Sequence, residues 1–166
     1  MDTTTRTLED VERALREALP PDSVTEAVAD HGQLRVRYAA AHRPDALAAL
    51  KGMGFTFFTF SGAVDWPDEN RFEILDHLYS MEDDLKVTIR CDIPRDAPRV
   101  PSGVGVFGGA DWHEREAWEM FGIVFQGHPR LARLLLPDWF EGYPMRKDFE
   151  LAARVEKPWP GSSFEG

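Results

Sequence analysis

The sequence has little cysteine and no long apolar run, the features that form disulfides, bind metals or anchor a protein in a membrane. Cys91 is the single cysteine among 166 residues, so no internal disulfide can form, as expected for a reducing compartment. An iron–sulfur cluster typically takes four thiolates and a structural zinc site takes several Cys or His residues, so Cys91 by itself supports neither. The longest apolar stretches, such as residues 55–60, fall far short of the ~20 residues that a membrane-spanning helix needs.

Positive charge is also scarce. Lys and Arg number 19 against 29 Asp and Glu, which gives a net charge of -10. Such a surface repels nucleic-acid phosphates and anionic lipid headgroups, so we expect no nucleic-acid binding and membrane contact only through other proteins. The first residues contain no apolar secretory segment, and we therefore expect the chain to stay on the cytosolic side. The composition, with 43% hydrophobic residues, suits one globular domain.

Apolar patterns divided by turn residues predict an α+β fold: a small, mostly antiparallel sheet with flanking helices and a long extended C-terminal arm. A capping-box pattern at Thr7 begins one helix, which ends at Pro20. Pro44 suits the first turn of a second helix that runs to about Lys51. Five further segments have the composition of strands, at residues 24–29, 33–38, 55–64, 71–80 and 84–93.

The chain changes character after Pro94, where prolines and glycines make an irregular connector before one clear helix and an extended arm. We therefore predict a sheet domain, residues 1–93, joined in the same structural unit to residues 94–166. The arm is rich in aromatic residues, namely Trp139, Phe140, Phe149 and Trp159. It either lies along a partner and buries these rings there, or wraps over its own sheet.

Residues 103–108 spell a G-x-G-x-x-G pattern, and a helix follows it. The dinucleotide-binding fingerprint requires a strand leading directly into the first glycine and an acidic residue about twenty positions later. Here a proline-rich loop precedes Gly103, and residues 126–128, Gln-Gly-His, stand at the later position. The sequence therefore predicts no dinucleotide binding by this loop.

The helix after the connector carries most of the chemically informative residues. Asp111 suits its N-cap position and Glu114 suits N3, as in a capping box. Helical spacing places Arg115, Glu116 and Glu119 on a polar side, where Arg115 and Glu119 are spaced for an i,i+4 ion pair.

Glu114 is anomalous because it projects from the apolar side of this helix, where a carboxylate needs a cation or several donors. Three interpretations stay open. Glu114 caps the helix start, or it forms an ion pair that faces a partner, or the helix performs metal or acid–base chemistry through His113 and Glu116. No second His/Glu pair accompanies His113 and Glu116, which makes the chemical interpretation the least supported.

Residues 114–129 are similar to the signature of the 30-kilodalton subunit of respiratory complex I, also called its C subunit. The matching elements are Glu114-Arg115-Glu116, Glu119 and His128-Pro129. Residues 134–137 and 142–149 resemble a second tract of that family, and residues 65–67 with 71–73 resemble its strand pair. The likeness covers about residues 50–150. Ala132 and Glu150 depart from it, since the family often has a basic residue and a proline there.

The resemblance implies a non-catalytic, cofactor-free scaffold subunit in the peripheral arm of NADH:quinone oxidoreductase, on the cytoplasmic side of the inner membrane. Flavin mononucleotide (FMN) and the iron–sulfur clusters would lie on partner subunits. The main partners would be the quinone-cavity subunit and the iron–sulfur subunits. The implied partner-binding residues are Glu114, Arg115, Glu116, Glu119, His128, Arg146, Lys147 and Asp148, although His128 equally suits a turn cap.

The alternatives differ in kind. One is a homologous subunit of a membrane-bound hydrogenase or related dehydrogenase complex. Another is an independent carboxylate-dependent hydrolase, which predicts turnover by the isolated chain. A third is an adaptor in another complex, which predicts partners without flavin or iron.

Overall fold

A five-stranded sheet forms the centre of the molecule, and the computed structural model describes residues 6–150. The strands are β1 (Val24–Asp30), β2 (Gln33–Tyr38), β3 (Phe57–Trp66), β4 (Arg71–Ser80) and β5 (Leu85–Pro94). Their order is β1-β2-β5-β4-β3, and every neighbouring pair is antiparallel except β2 and β5. The predicted α+β fold with a mostly antiparallel sheet is confirmed.

Three helices cover one face of this sheet: α1 (Leu8–Ala18), α2 (Arg43–Gly52) and α3 (Ala110–Phe121). The Thr7 side chain caps α1 and Asp10 returns a hydrogen bond, as the capping-box pattern predicted. Alternate strand residues face the helices and form one hydrophobic cluster with them, including Leu34, Ile74, Ile89, Leu15, Leu47 and Phe121. The opposite face of the sheet, called the open face below, carries mostly charged and polar side chains.

The limits of β1, β3 and β5 differ by one or two residues from the sequence prediction. β3 begins at Phe57 rather than at residue 55, because the Phe55 amide still bonds to the Leu50 carbonyl at the end of α2. The connector is also less irregular than predicted. It contains β6 (Arg99–Pro101), which pairs in parallel with β7 (Val124–Gln126) after α3. Strands of three residues are too short to produce a period-2 pattern.

The C-terminal arm, defined here as residues 127–150, folds back against its own chain. The Met145 amide donates to the Met120 carbonyl of α3, and the Lys147 amide donates to Asp65 near the end of β3. The interpretation in which the arm wraps over its own chain therefore holds for this part. Trp159, the last of the aromatic residues singled out above, lies outside the described residues.

Candidate functional site

A buried ion cluster joins helix α3 to the sheet. The Arg43 guanidinium, at the start of α2, donates to both Asp76 oxygens at 2.8 Å and to Glu114 Oε1 at 2.7 Å. These three side chains are 0% exposed. Two further donors reach Glu114, the Ser102 hydroxyl at 2.6 Å and the Gly103 amide at 2.7 Å. The cluster, called the Arg43 cluster below, therefore fixes α2, β4, α3 and the connector to one another.

The charges of the cluster explain how Glu114 tolerates burial. Burial by itself lowers the pKa of Arg43, but the Asp76 and Glu114 carboxylates hold it well above its usual value. The cation that the sequence required for Glu114 thus comes from within the chain. The predicted helix cap is wrong, because α3 begins at Ala110 without a side-chain cap. The predicted partner-facing role of Glu114 is also wrong, because its carboxylate is enclosed.

Arg115 and Glu119 fasten the arm to α3 instead of pairing with each other. The Glu119 carboxylate accepts the amides of residues 134–136 at 3.0, 2.7 and 3.3 Å. The Arg115 guanidinium donates to the carbonyls of residues 132 and 133 at 3.0 and 2.8 Å. An arm without regular structure leaves such backbone groups unpaired, and charged side chains satisfy them. Glu119 is buried and bonded to the arm, so the i,i+4 ion pair with Arg115 that the sequence spacing allowed does not form.

His128 caps a turn at the beginning of the arm. Its Nδ1 accepts the Arg130 amide at 3.0 Å, and its Nε2 lies 3.3 Å from Asp111 Oδ1 on α3. The side chain is fully buried. Of the two roles considered for His128, the turn cap is the one that the structure contains.

Arg146 closes the arm over the end of α3. Its Nε donates to the Phe121 carbonyl at 2.6 Å, and its guanidinium lies 4.5 Å from the centre of the Tyr143 ring. Gly122 permits this approach, since its φ is +78° and a Cβ there would lie 2.6 Å from Tyr143 Cζ. The Arg146 side chain predicted to dock a partner therefore docks its own helix.

Asp65 anchors the next part of the arm. This buried carboxylate accepts Arg95 Nε at 2.8 Å and the Lys147 amide at 2.9 Å. Arg95 also pairs with Asp148 at 2.7 Å, and this bond lowers the pKa of Asp148. The side chains of Lys147 and Asp148 remain exposed, with the Lys147 ammonium 5.3 Å from the Trp66 ring centre. Of the residues predicted in this tract, these two are still accessible to a partner.

Sequence reasoning missed Arg43, the cation that binds Glu114, and Asp76, which binds the same guanidinium. A signal existed for Asp76, because it alternates with Phe72 and Ile74 on the buried face of β4. Two carboxylates on apolar faces each require a cation. Nothing in the pattern selects Arg43 from the other basic residues, because it is distant in sequence from both carboxylates.

The groups considered for chemistry are arranged for packing. Among residues 6–150, no three His, Cys, Asp or Glu side chains are placed to hold a metal ion. The His113 ring packs edge-on against Phe58 and Phe60 at 6.0 and 5.6 Å. Burial raises the pKa of Cys91 to about 12, so the thiol stays protonated and unreactive near neutral pH. Within the same residues, no helix combines the length and apolarity required to cross a membrane.

The surface of the arm and α3 exposes several large apolar side chains: Trp112, Leu135, Trp139, Tyr143 and Met145. Trp139 is 79% exposed although the arm around it is held by the hydrogen bonds of Arg115 and Glu119. Apolar side chains on a fastened, irregular segment are typical of a protein interaction surface.

Comparison with known proteins places this site in a family. Residues 36–155, which include α3 and the whole arm, match the family described as respiratory-chain NADH dehydrogenase, 30 Kd subunit. The chain belongs to this family. The resemblance inferred from the sequence alone is thereby confirmed.

Relatives within the 30 Kd subunit family cover most of the chain. The C subunit of the NADH-quinone oxidoreductase of Paramagnetospirillum magneticum is 38% identical over 156 residues, which are 92% of this chain and 78% of that protein. The corresponding C subunit of Rhizobium rhizogenes is 41% identical over 130 residues, 76% of this chain. The match spans only 64% of the length of the latter protein.

Two solved structures share the fold. A chain of the membrane-bound sulfane sulfur reductase, an archaeal respiratory membrane complex, superposes with a TM-score of 0.77 at 29% identity, over 87% of this chain and 86% of that one. A trypsin-resistant fragment of Nqo5 gives 0.63 at 29% identity, over 75% of this chain and 98% of the fragment. Both solved chains therefore share the architecture of this chain, and one of them belongs to a respiratory membrane complex.

Proposed function

We propose that this chain is a scaffold subunit of NADH:quinone oxidoreductase, in its peripheral arm on the cytoplasmic side of the membrane. It supports electron transfer from NADH through iron–sulfur clusters to quinone without holding a redox centre itself. Family membership supports the assignment, and so do the names of relatives that align over most of this chain.

The observation that carries the proposal is the fastened arm with its exposed apolar side chains. The family-signature residues Glu114, Arg115, Glu119 and His128 all bond within the chain, and they hold α3 and the arm in one conformation. A surface ordered before binding loses little conformational entropy when a partner docks. Such a surface holds neighbouring subunits at fixed distances, which electron transfer between their cofactors requires.

Cysteine content supports placing the cofactors on other chains. The sequence has one cysteine, and burial keeps its thiol protonated. An iron–sulfur cluster that typically needs four thiolates would therefore have to be held by partners. We propose the iron–sulfur subunits and the quinone-cavity subunit as those neighbours.

Affinity purification of the tagged chain from gently solubilised native membranes tests the assignment. We expect a flavoprotein, iron–sulfur subunits and membrane pump subunits to copurify. Recovery of a nickel–iron subunit without the flavoprotein would replace the proposal with a hydrogenase-type complex. Recovery of the chain alone would refute a scaffold role.

A matched pair of variants tests whether the arm is the docking surface. Trp139→Ala removes the most exposed ring of the arm, whereas Met81→Ala alters a similarly exposed apolar side chain in the β4–β5 turn. We expect the first to lower recovery of partner subunits and the second to leave it unchanged. Equal recovery from both variants would remove the arm from the proposed interface.

A further inference from the structure

A groove lies between β3 and α3, and Met145 of the arm forms part of its wall. It has a volume of about 160 Å³, and its apolar lining includes Phe60, Ala63, Ala117, Phe121 and Met145. Phe60 and Met145 are both exposed at the surface. A cavity of about 150 Å³ takes a group the size of benzene, so this groove has room for one apolar side chain.

The wall of the groove formed by Phe60 is preorganised. A Cβ at position 62 would lie 2.5 Å from Phe60 Cζ, so Gly62 allows the ring to lie back across its own strand. The ring also packs against His113 on α3 at 5.6 Å. The groove is therefore a feature of the folded chain that requires no rearrangement to receive a side chain.

The strand beside the groove is a free sheet edge. β3 is the last strand of the five-stranded sheet, and among the described residues no strand pairs with its outer side. A free edge presents unpaired amide and carbonyl groups to an incoming extended chain. A strand that adds there directs every second side chain toward the face on which α3 lies.

Glu116 supplies the charge of the groove. It lines the groove on α3 and, within residues 6–150, has no hydrogen bond or ion pair, although its neighbours Glu114 and Glu119 are both bonded. It is the carboxylate of the Glu-Arg-Glu signature that the internal contacts leave unused. A partly buried carboxylate beside an apolar surface is best matched by a basic side chain.

We propose that the β3–α3 groove binds an extended segment of a neighbouring subunit, which adds as a strand to β3. The segment places one apolar side chain in the groove and a lysine or arginine against Glu116. Main-chain pairing gives affinity in this binding mode, and the pocket and the charge give specificity. The inference rests on the proposed function only in taking the partner to be a subunit of the same complex.

Photo-crosslinking in the native complex tests the proposal. A benzophenone-bearing phenylalanine replaces Phe60 in the full, tagged chain, and the control carries it at Val28, an exposed position on β1 at the opposite sheet edge. We expect position 60 to crosslink to a neighbouring subunit, at a segment that has an apolar residue within two positions of a lysine or arginine. We expect no such product from position 28.

Charge reversal tests the role of Glu116. Glu116→Lys should lower recovery of the crosslinked subunit about tenfold. Replacing the lysine or arginine of the crosslinked segment by Glu, in combination with Glu116→Lys, should restore recovery. Glu17→Lys, at an exposed glutamate of α1, is the matched control and should recover the complex as the unaltered chain does.

The outcomes separate this proposal from the proposed function. If the complex is recovered intact but position 60 gives no product, or crosslinks to a second copy of this chain or to residues 151–166, the groove proposal is wrong and the scaffold role stands. Unchanged recovery with Glu116→Lys would also overturn it. Failure of the unaltered chain to recover any respiratory subunit would overturn both.

Discussion

Two groups of ion pairs in this molecule have the same chemistry and different surroundings. The Arg43 cluster lies under α3 with its charged side chains 0% exposed. On the open face, Arg37 and Arg71 both pair with Asp92, and Arg37 also reaches Glu73. These four residues are called the open-face network. In it, the side chains of Arg71, Arg37 and Asp92 are 19%, 24% and 34% exposed, while Glu73 is 7% exposed.

Exposure decides what each group contributes. In the open-face network, water and salt screen the charges and solvate whichever partner is left after a substitution. In the Arg43 cluster, a carboxylate left without its cation has no water to solvate it. The cluster therefore makes the position of α3 highly sensitive to substitution, whereas the open-face network keeps an uncovered sheet face polar.

Removing one cation from each group is the most direct test of this difference. Arg43→Met leaves two carboxylates buried together, and we expect it to lower the free energy of unfolding by about 3–5 kcal/mol. The same change in the open-face network, Arg71→Met, should cost about 0–1 kcal/mol. Urea denaturation of both variants measures the difference. Similar losses in the two would refute the distinction by burial.

Glu119→Ala probes a carboxylate of intermediate kind, which is buried but bonded to amides instead of a cation. It leaves the amides of residues 134–136 without their acceptor. We expect a loss of about 1.5–3 kcal/mol, the usual range for hydrogen bonds to a charged group. Hydrogen exchange should accelerate at these three amides, while exchange in β4 stays unchanged. Uniform acceleration across the sheet would contradict a local fastening role.

The salt dependence of stability should also distinguish the open-face network from the Arg43 cluster, with a smaller effect than the substitutions above. Asp92→Asn should differ from the unaltered chain by at most about 1 kcal/mol at low ionic strength, and by nothing measurable near 1 M salt, where the Debye length is about 3 Å. The penalty of Arg43→Met should persist at both ionic strengths, because its charges are shielded from the solution. Thermal melts at two salt concentrations check this. A salt-dependent penalty for Arg43→Met would show that the cluster is hydrated.

The smallest effect is expected at Asp148, an exposed partner of Arg95. The Arg95 hydrogen bond lowers the pKa of Asp148 in the folded chain. The contribution of this pair to the stability of the fold is therefore present above the pKa of an unperturbed Asp, about 3.9, and is lost as the pH falls through the lowered pKa of Asp148. An NMR titration of the Asp148 carboxyl carbon should give a low midpoint that returns toward about 3.9 in Arg95→Gln. An identical midpoint in both chains would contradict the pairing.

Local patterns predicted most of the fold and little of the site. The limits of α1 follow from a capping box at Thr7 and the prolines after Ala18, all within one short segment. β6 and β7 escaped prediction because each is three residues long and is a strand only through the other. The sequence left two interpretations of the arm, along a partner or over its own sheet, because the groups that bind its backbone, on Asp65 and Met120, are distant in sequence.

The amino-acid sequence was sufficient for the order of α1 to α3 and β1 to β5, the family, and the requirement that Glu114 meet a cation or several donors. The folded chain was needed to show that the cation is Arg43, 71 residues away, and that Asp65 accepts the backbone amide of Lys147 across 82 residues. Helix and strand patterns arise from neighbours along the chain, so they can be read locally. Charges are interchangeable in a sequence pattern, and packing alone chooses which of them meet.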